Sequence, residues 1–169
     1  MTVIEMFQAQ LEDEAKRTRA ALEKVPEGKD DWTPHAKSMP LGRLAMLIAR
    51  MPMWFGLIIN QDELELQPAS GSNVDQRPLK TAAELVNAHD EGVVQARAAL
   101  RSLNEDRAAK SWKLLVKGHV VADQPRLVVI RDTFTHLAHH RGQLTVYLRL
   151  NDAPVPAIYG PSADEQRFG

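Results

Sequence analysis

The stretch LGRLAMLIARMPMWFGLII, residues 41–59, constrains the fold more than any other part of this chain. It is apolar almost all round, and a helix of that kind is buried on most sides or lies partly at an interface. Residues 38–60 read as one helix, with Ser38 as its cap. Pro52 falls inside it, removes one backbone hydrogen bond and kinks the axis. Arg50 and Pro52 interrupt the run, and it is shorter than a membrane span needs. The segment therefore predicts a core helix, and the rest of the chain must supply what covers it.

Three further segments have helical periodicity. Residues 3–24 place Ile4, Phe7, Leu11, Ala15, Thr18 and Leu22 at spacings of three or four, with Glu, Gln, Lys and Arg on the remaining face. Thr81 and Glu84 form a T-x-x-E capping pattern. The helix it opens runs to about Leu103, with Leu85, Ala88, Val93, Ala96, Ala99, Leu100 and Leu103 on its apolar side. Pro125 opens a last helix that runs to about Leu150. Residues 61–78 form a polar connection longer than most loops. Ser111–Val116 reads as one short extended piece. The tail, residues 151–169, holds three prolines and two glycines. It is irregular and is expected to pack on the bundle or on a partner subunit. Four long helices with little strand predict an all-α bundle in a single domain, residues 1–169.

Composition narrows the function. The 21 basic and 22 acidic residues nearly cancel, leaving a net charge of −1 with no basic stripe, so nucleic acid is not an expected partner. There is no cysteine, which removes disulfides, thiolate ligands and a cysteine nucleophile. The start, TVIEMFQAQLEDEAKR, lacks a basic segment leading to an unbroken apolar run and is not a signal peptide. No membrane association and a cytoplasmic location are the expectations.

Three of the six histidines fall in THLAHHRGQL, residues 135–144. At about 100° per residue, Ile130, Phe134, Leu137, Arg141, Leu144 and Leu148 share one side of the last helix. His139 points nearly opposite, to solvent. His136 and His140, four apart, share one edge of the apolar stripe with Val129, Thr133 and Tyr147. Asp132 and Gln143 lie close to that edge. Two imidazoles at i and i+4 can hold one divalent ion. They can equally be hydrogen-bonded residues at a core edge, partnered by Asp132 or Gln143. Arg141 reads as a helix-surface or interface ion pair. His35, His89 and His119 are available in space, but nothing in the sequence selects one as a third ligand.

The segments HHRGQLTVYLRLNDAPVPAIYGPSADE, DWTPHAKSMPLGRLAMLIARMPMW and MFQAQLEDEAKRTRAALEKVP together resemble the DinB-like (DinB/YfiT-like) superfamily, and the likeness spans nearly the whole chain. The resemblance implies a four-helix bundle with long crossover connections, often paired as a homodimer. It also implies a three-histidine metal site. Two of its ligands match His136 and His140; the third belongs on helix two, in a motif like LGRLAxHIA. Here that motif reads LGRLAMLIA, and Leu47 stands at the ligand position. Met46 beside it is a soft thioether, poorly suited to zinc. Leu47, Met51, Trp54 and Ile58 fall near one edge of helix two and should make an apolar wall.

Two readings follow. One is a DinB-like protein with a degenerate metal site, two histidines of three, in a small-molecule pocket, with Asp132, Gln143, Tyr147, Leu47 and Met51 around it. Such a site would hold zinc, nickel or manganese weakly, if at all. As a non-catalytic member it would bind a small apolar ligand or serve as a stress-associated interaction protein. The other is a metal-dependent transferase or isomerase that uses an external thiol, which the metal would hold as thiolate near an electrophile.

Overall fold

The computed structural model describes residues 1–68 and 77–166. In chain order the elements are α1 (Val3–Leu22), α2 (Leu41–Arg50), α3 (Met53–Asn60), β1 (Glu63–Glu65), α4 (Ala82–Ser102), α5 (Glu105–Ala109), β2 (Ser111–Val116), β3 (His119–Pro125) and α6 (Arg126–Leu150). The fold is therefore mixed α/β, and the expected all-α four-helix bundle is overturned. β1, β2 and β3 form a three-stranded sheet in that order. β2 pairs antiparallel with β3 through Lys117 and Gly118, both at positive φ (52° and 78°). Positive φ at both central residues is what a two-residue hairpin turn requires. β1 joins β2 in parallel, Glu63 opposite Lys113 and Glu65 opposite Leu115. The Glu65 carboxylate accepts the amides of Lys117 and Gly118 and so ties the hairpin turn to β1. The polar connection is thus partly strand. Its portion at 69–76 lies outside the described residues, as does the end of the tail at 167–169.

Local sequence explains the helix boundaries. α1 and α4 both open with reciprocal capping boxes, Thr2 with Glu5 and Thr81 with Glu84. Ser38 does not cap helix two. Its amide donates to the His35 carbonyl, and the helix begins at Leu41 behind Pro40. Pro52 does more than kink the apolar run: it divides it into α2 and α3, bent by 48°. α4 crosses close to this bend. A Cβ at Gly92 would lie 3.2 Å from the Met53 amide nitrogen and 3.3 Å from the Pro52 Cβ, so only glycine fits there without a shift.

The bend serves two cores. α2 and Met51 belong to one, with Leu22, Leu85, Leu137, Leu144, Tyr147 and Leu148. α3 belongs to the other, where Phe55, Ile58 and Ile59 meet Phe7, Leu11, Leu100, Trp112, Ile130 and Phe134. Phe55 and Phe134 lie 4.5 Å apart between ring centroids. α6 runs past both cores and carries the histidines between them. Among the described residues, no single helix is long and apolar enough to cross a membrane. The bent pair α2–α3 reaches that length and apolarity only when its two halves are taken together.

Candidate functional site: the histidine face of the last helix

His136, His139 and His140 lie on α6, where no proline or glycine interrupts the turns before Gly142. His136 and His139 are exposed, and His140 is half-buried. The Nε2 atoms of His136 and His140 are 2.8 Å apart, and the Nδ1 of His140 is 2.7 Å from Oε1 of Gln143. In the tautomer that satisfies both contacts, the Nδ1–H of His140 donates to the Gln143 carbonyl oxygen and its Nε2 accepts from the Nε2–H of His136. On the outer side, the His139 ring meets His140 edge-on at 5.1 Å. On the inner side, Trp54 of α3 lies 5.6 Å from His136 between centroids. Partial desolvation of its ring holds the His136 pKa below the ordinary histidine value. Repulsion from a charged His140 or His139 adds to the effect.

The other expected site residues are distributed differently. Gln143 joins the pair, as the hydrogen-bonded alternative required. Asp132 is exposed and pairs with its neighbour Arg131 at 2.8 Å. Tyr147 is buried, with Trp32 packed edge-on against it at 5.4 Å. Met51 is fully buried in the first core, and Leu47 is half-buried against the same core. Open clefts of roughly 310 to 500 Å³ along α1/α4, α3/α4 and the start of the sheet are lined by other residues. The histidines form a row at the helix surface.

The expected metal site is corrected here. The two Nε2 atoms converge, as ligands must. Zinc, however, takes four ligands in structural sites and three protein ligands in catalytic ones. Among the described residues, no group of three or more His, Asp or Glu side chains comes close enough to hold an ion. Leu47 stands where the resemblance implied a third ligand, and among the described residues no carboxylate joins the pair. The inner nitrogens of the pair are instead spent on each other and on Gln143.

One residue along the helix, Arg141 is 1% exposed and lies at the centre of a polar network that sequence reasoning missed. Its guanidinium meets the Glu14 carboxylate at 2.5 Å, Thr18 Oγ1 at 2.9 Å and the Tyr159 hydroxyl at 2.5 Å. Arg17 adds a 3.0 Å contact to Glu14, donates to the Ile158 carbonyl and lies over the Tyr159 ring. The ion pair is internal, not at a surface or interface. It joins α1, α6 and the tail. The inward rotation of Arg141 was a signal that a buried counter-ion was needed. Its identity, 127 residues earlier on α1, carried none.

Residues 2–167 match the DinB family, and the chain belongs to it. The crystal structure of a DinB-like protein from Bacillus subtilis is similar, at 16% identity and a TM-score of 0.68, covering 96% of this chain and 99% of that one. A DinB-like protein from Bacillus cereus aligns at 19% identity and a TM-score of 0.68, covering 92% and 97% of the respective chains. At these identities the likeness concerns the fold. No curated protein matches the chain.

Proposed function

We propose that this chain is a DinB-family binding protein that works without a resident metal. It presents the His136–His140–Gln143 row and the flanking Trp54 to a small molecule. The observation that carries this reading is the 2.8 Å contact between the two Nε2 atoms, closed by Gln143. The row is a chain of hydrogen-bond donors and acceptors beside an aromatic face. A planar heterocycle or amide can replace one of its hydrogen bonds and stack on the indole. The thiol-transferase reading needs a metal to generate the thiolate. The donor set here is two imidazoles with no third His, Asp or Glu beside them among the described residues, so no such step is assigned to this chain.

The test is a metal count on protein purified without an affinity tag and dialysed against metal-free buffer. The expected result is no stoichiometric ion. A stoichiometric ion of micromolar or tighter affinity, lost in both His136→Ala and His140→Ala, overturns the reading.

A further inference from the structure

A cluster of cations lies away from the histidines, where the end of α3, β1, α5, β2 and the start of α6 meet. Arg126, the first residue of α6, has a fully buried side chain. Its Nη2 donates to Asp62 Oδ1 at 2.8 Å, to the Gln61 carbonyl at 3.2 Å and to the Ser111 carbonyl at 3.3 Å. Its Nε and Nη1 have no hydrogen-bond partner among the described residues. Buried polar groups are rarely left so, and a buried charge is costly unless fully partnered. Arg107 lies beside it. The Arg107 Nε donates to the Ile59 carbonyl, and its Nη1 meets the same Asp62 oxygen at 2.8 Å. One carboxylate oxygen therefore serves two guanidiniums, although each can take a bidentate partner. Burial and the Arg107 charge push the Arg126 pKa down, and Asp62 offsets them only in part. No side chain caps the first turn of α6, so the positive end of a 25-residue helix adds to the excess.

The carboxylate between them is free to move. The Asp62 side chain is 69% exposed and lines an open cleft of about 320 Å³ with Glu63, Lys110, Ser111 and Lys113. Lys110 and Lys113 bring further cations to these walls. Asp62, Lys110 and Ser111 all touch Arg126, so the buried guanidinium lies directly behind the cleft. We propose that this cleft binds the phosphoryl or carboxylate group of a small molecule, which displaces the Asp62 side chain from Arg107 and Arg126. The incoming group brings two or more oxygens to guanidiniums that now share one, and charge-assisted forks of that kind are the stronger contacts. Lys110 and Lys113 supply charge at the mouth, and the Asp62 carboxylate turns to solvent. The backbone at residue 62 stays in place, because its carbonyl accepts the Lys113 amide.

The probes are inorganic phosphate and acetate, each titrated against sodium chloride at equal ionic strength. A ligand held by the native state alone raises the thermal midpoint, and the concentration dependence of that rise gives the affinity. Asp62→Asn removes the competing charge and should tighten binding by about tenfold, the scale of one charge-assisted hydrogen bond. Arg107→Gln should abolish binding, and Arg107→Lys, which keeps the charge without the fork, should restore part of it. Lys110→Gln with Lys113→Gln, both outside the buried arginine pair, should weaken binding with unchanged circular dichroism. A response to phosphate alone supports the site with a phosphoryl ligand, and a response to acetate supports it with a carboxylate. Midpoints that rise no further in either probe than in chloride, for wild type and Asp62→Asn alike, overturn the proposal. So does binding that survives in Arg107→Gln or that weakens in Asp62→Asn.

Discussion

His140 and Arg141 are neighbours on one helix, and their side chains have opposite fates. Arg141 turns inward, where leaving it unpaired would be costly. Glu14, Thr18 and Tyr159 all meet it, and its surroundings are fully determined. His140 turns toward the surface, where imidazoles need no partner, yet it is tied to His136 and Gln143. The buried arginine is explained by the fold alone. The histidine row carries no buried charge that needs a partner, and its exposed position on α6 is what the proposed binding role rests on.

The largest test of this contrast is at the buried end. Arg141→Ala removes the closer of the two arginine partners of buried Glu14 and leaves Arg17 at 3.0 Å. In denaturant unfolding it should cost somewhat less than about 3–5 kcal/mol, the cost of a fully unpaired buried charge. Arg141→Met combined with Glu14→Leu should cost less than either single change, because it removes both charges together. If the double variant is worse than the sum of the singles, the pair does more than neutralise itself. Tyr159→Phe removes the hydroxyl that accepts from Arg141 and donates to Glu14, and should cost about 0.5–1.5 kcal/mol for each of these hydrogen bonds. Its effect should vanish in the Arg141→Met, Glu14→Leu background, which would show that the tail is fastened through this pair.

A pH dependence separates the two regions next. His89 on α4 is 1% exposed, and burial holds its pKa below the ordinary histidine value, more strongly than its contact with Asp90 raises it. Its Nε2 has no hydrogen-bond partner among the described residues. With a depressed folded pKa, the unfolded chain binds the proton more readily. Stability is therefore complete above the ordinary value of about 6.5 and declines as pH falls below it. His89→Gln should flatten the unfolding free energy between that value and mildly acid pH. An unchanged slope would move the effect to His136, whose pKa is also lowered. The smallest effect is expected at the row itself. His136→Ala should change stability by no more than about 0.5 kcal/mol, since the residue is exposed. A larger loss would make the row structural after all.

These residues also show what the sequence could and could not carry. Helical rotation put Arg141 on the apolar side of α6 and His139 outward, and both positions hold, but the reading of Arg141 as a surface or interface ion pair did not. The i, i+4 spacing paired His136 with His140, and Gln143 was one of the two partners it allowed. The Lys117–Gly118 turn between LLV and HVV was a readable hairpin signal. Even so, the second strand was missed, because β3 is exposed on both faces and lacks the alternation that marks a half-buried strand. β1 could not be read, since Glu-Leu-Glu has no strand character apart from its partner. Nor could the Glu14–Arg141–Tyr159 network, because proximity across 127 residues is decided by packing rather than by local pattern.

The most direct test of the central claim compares divalent-metal binding by wild-type and Leu47→His protein, both tag-free and dialysed, in a zinc titration followed by calorimetry. The account predicts that wild-type chains retain no stoichiometric ion, while Leu47→His supplies the missing third ligand and binds one zinc per chain. A wild-type protein that already holds one zinc per chain, with no gain from Leu47→His, would contradict it.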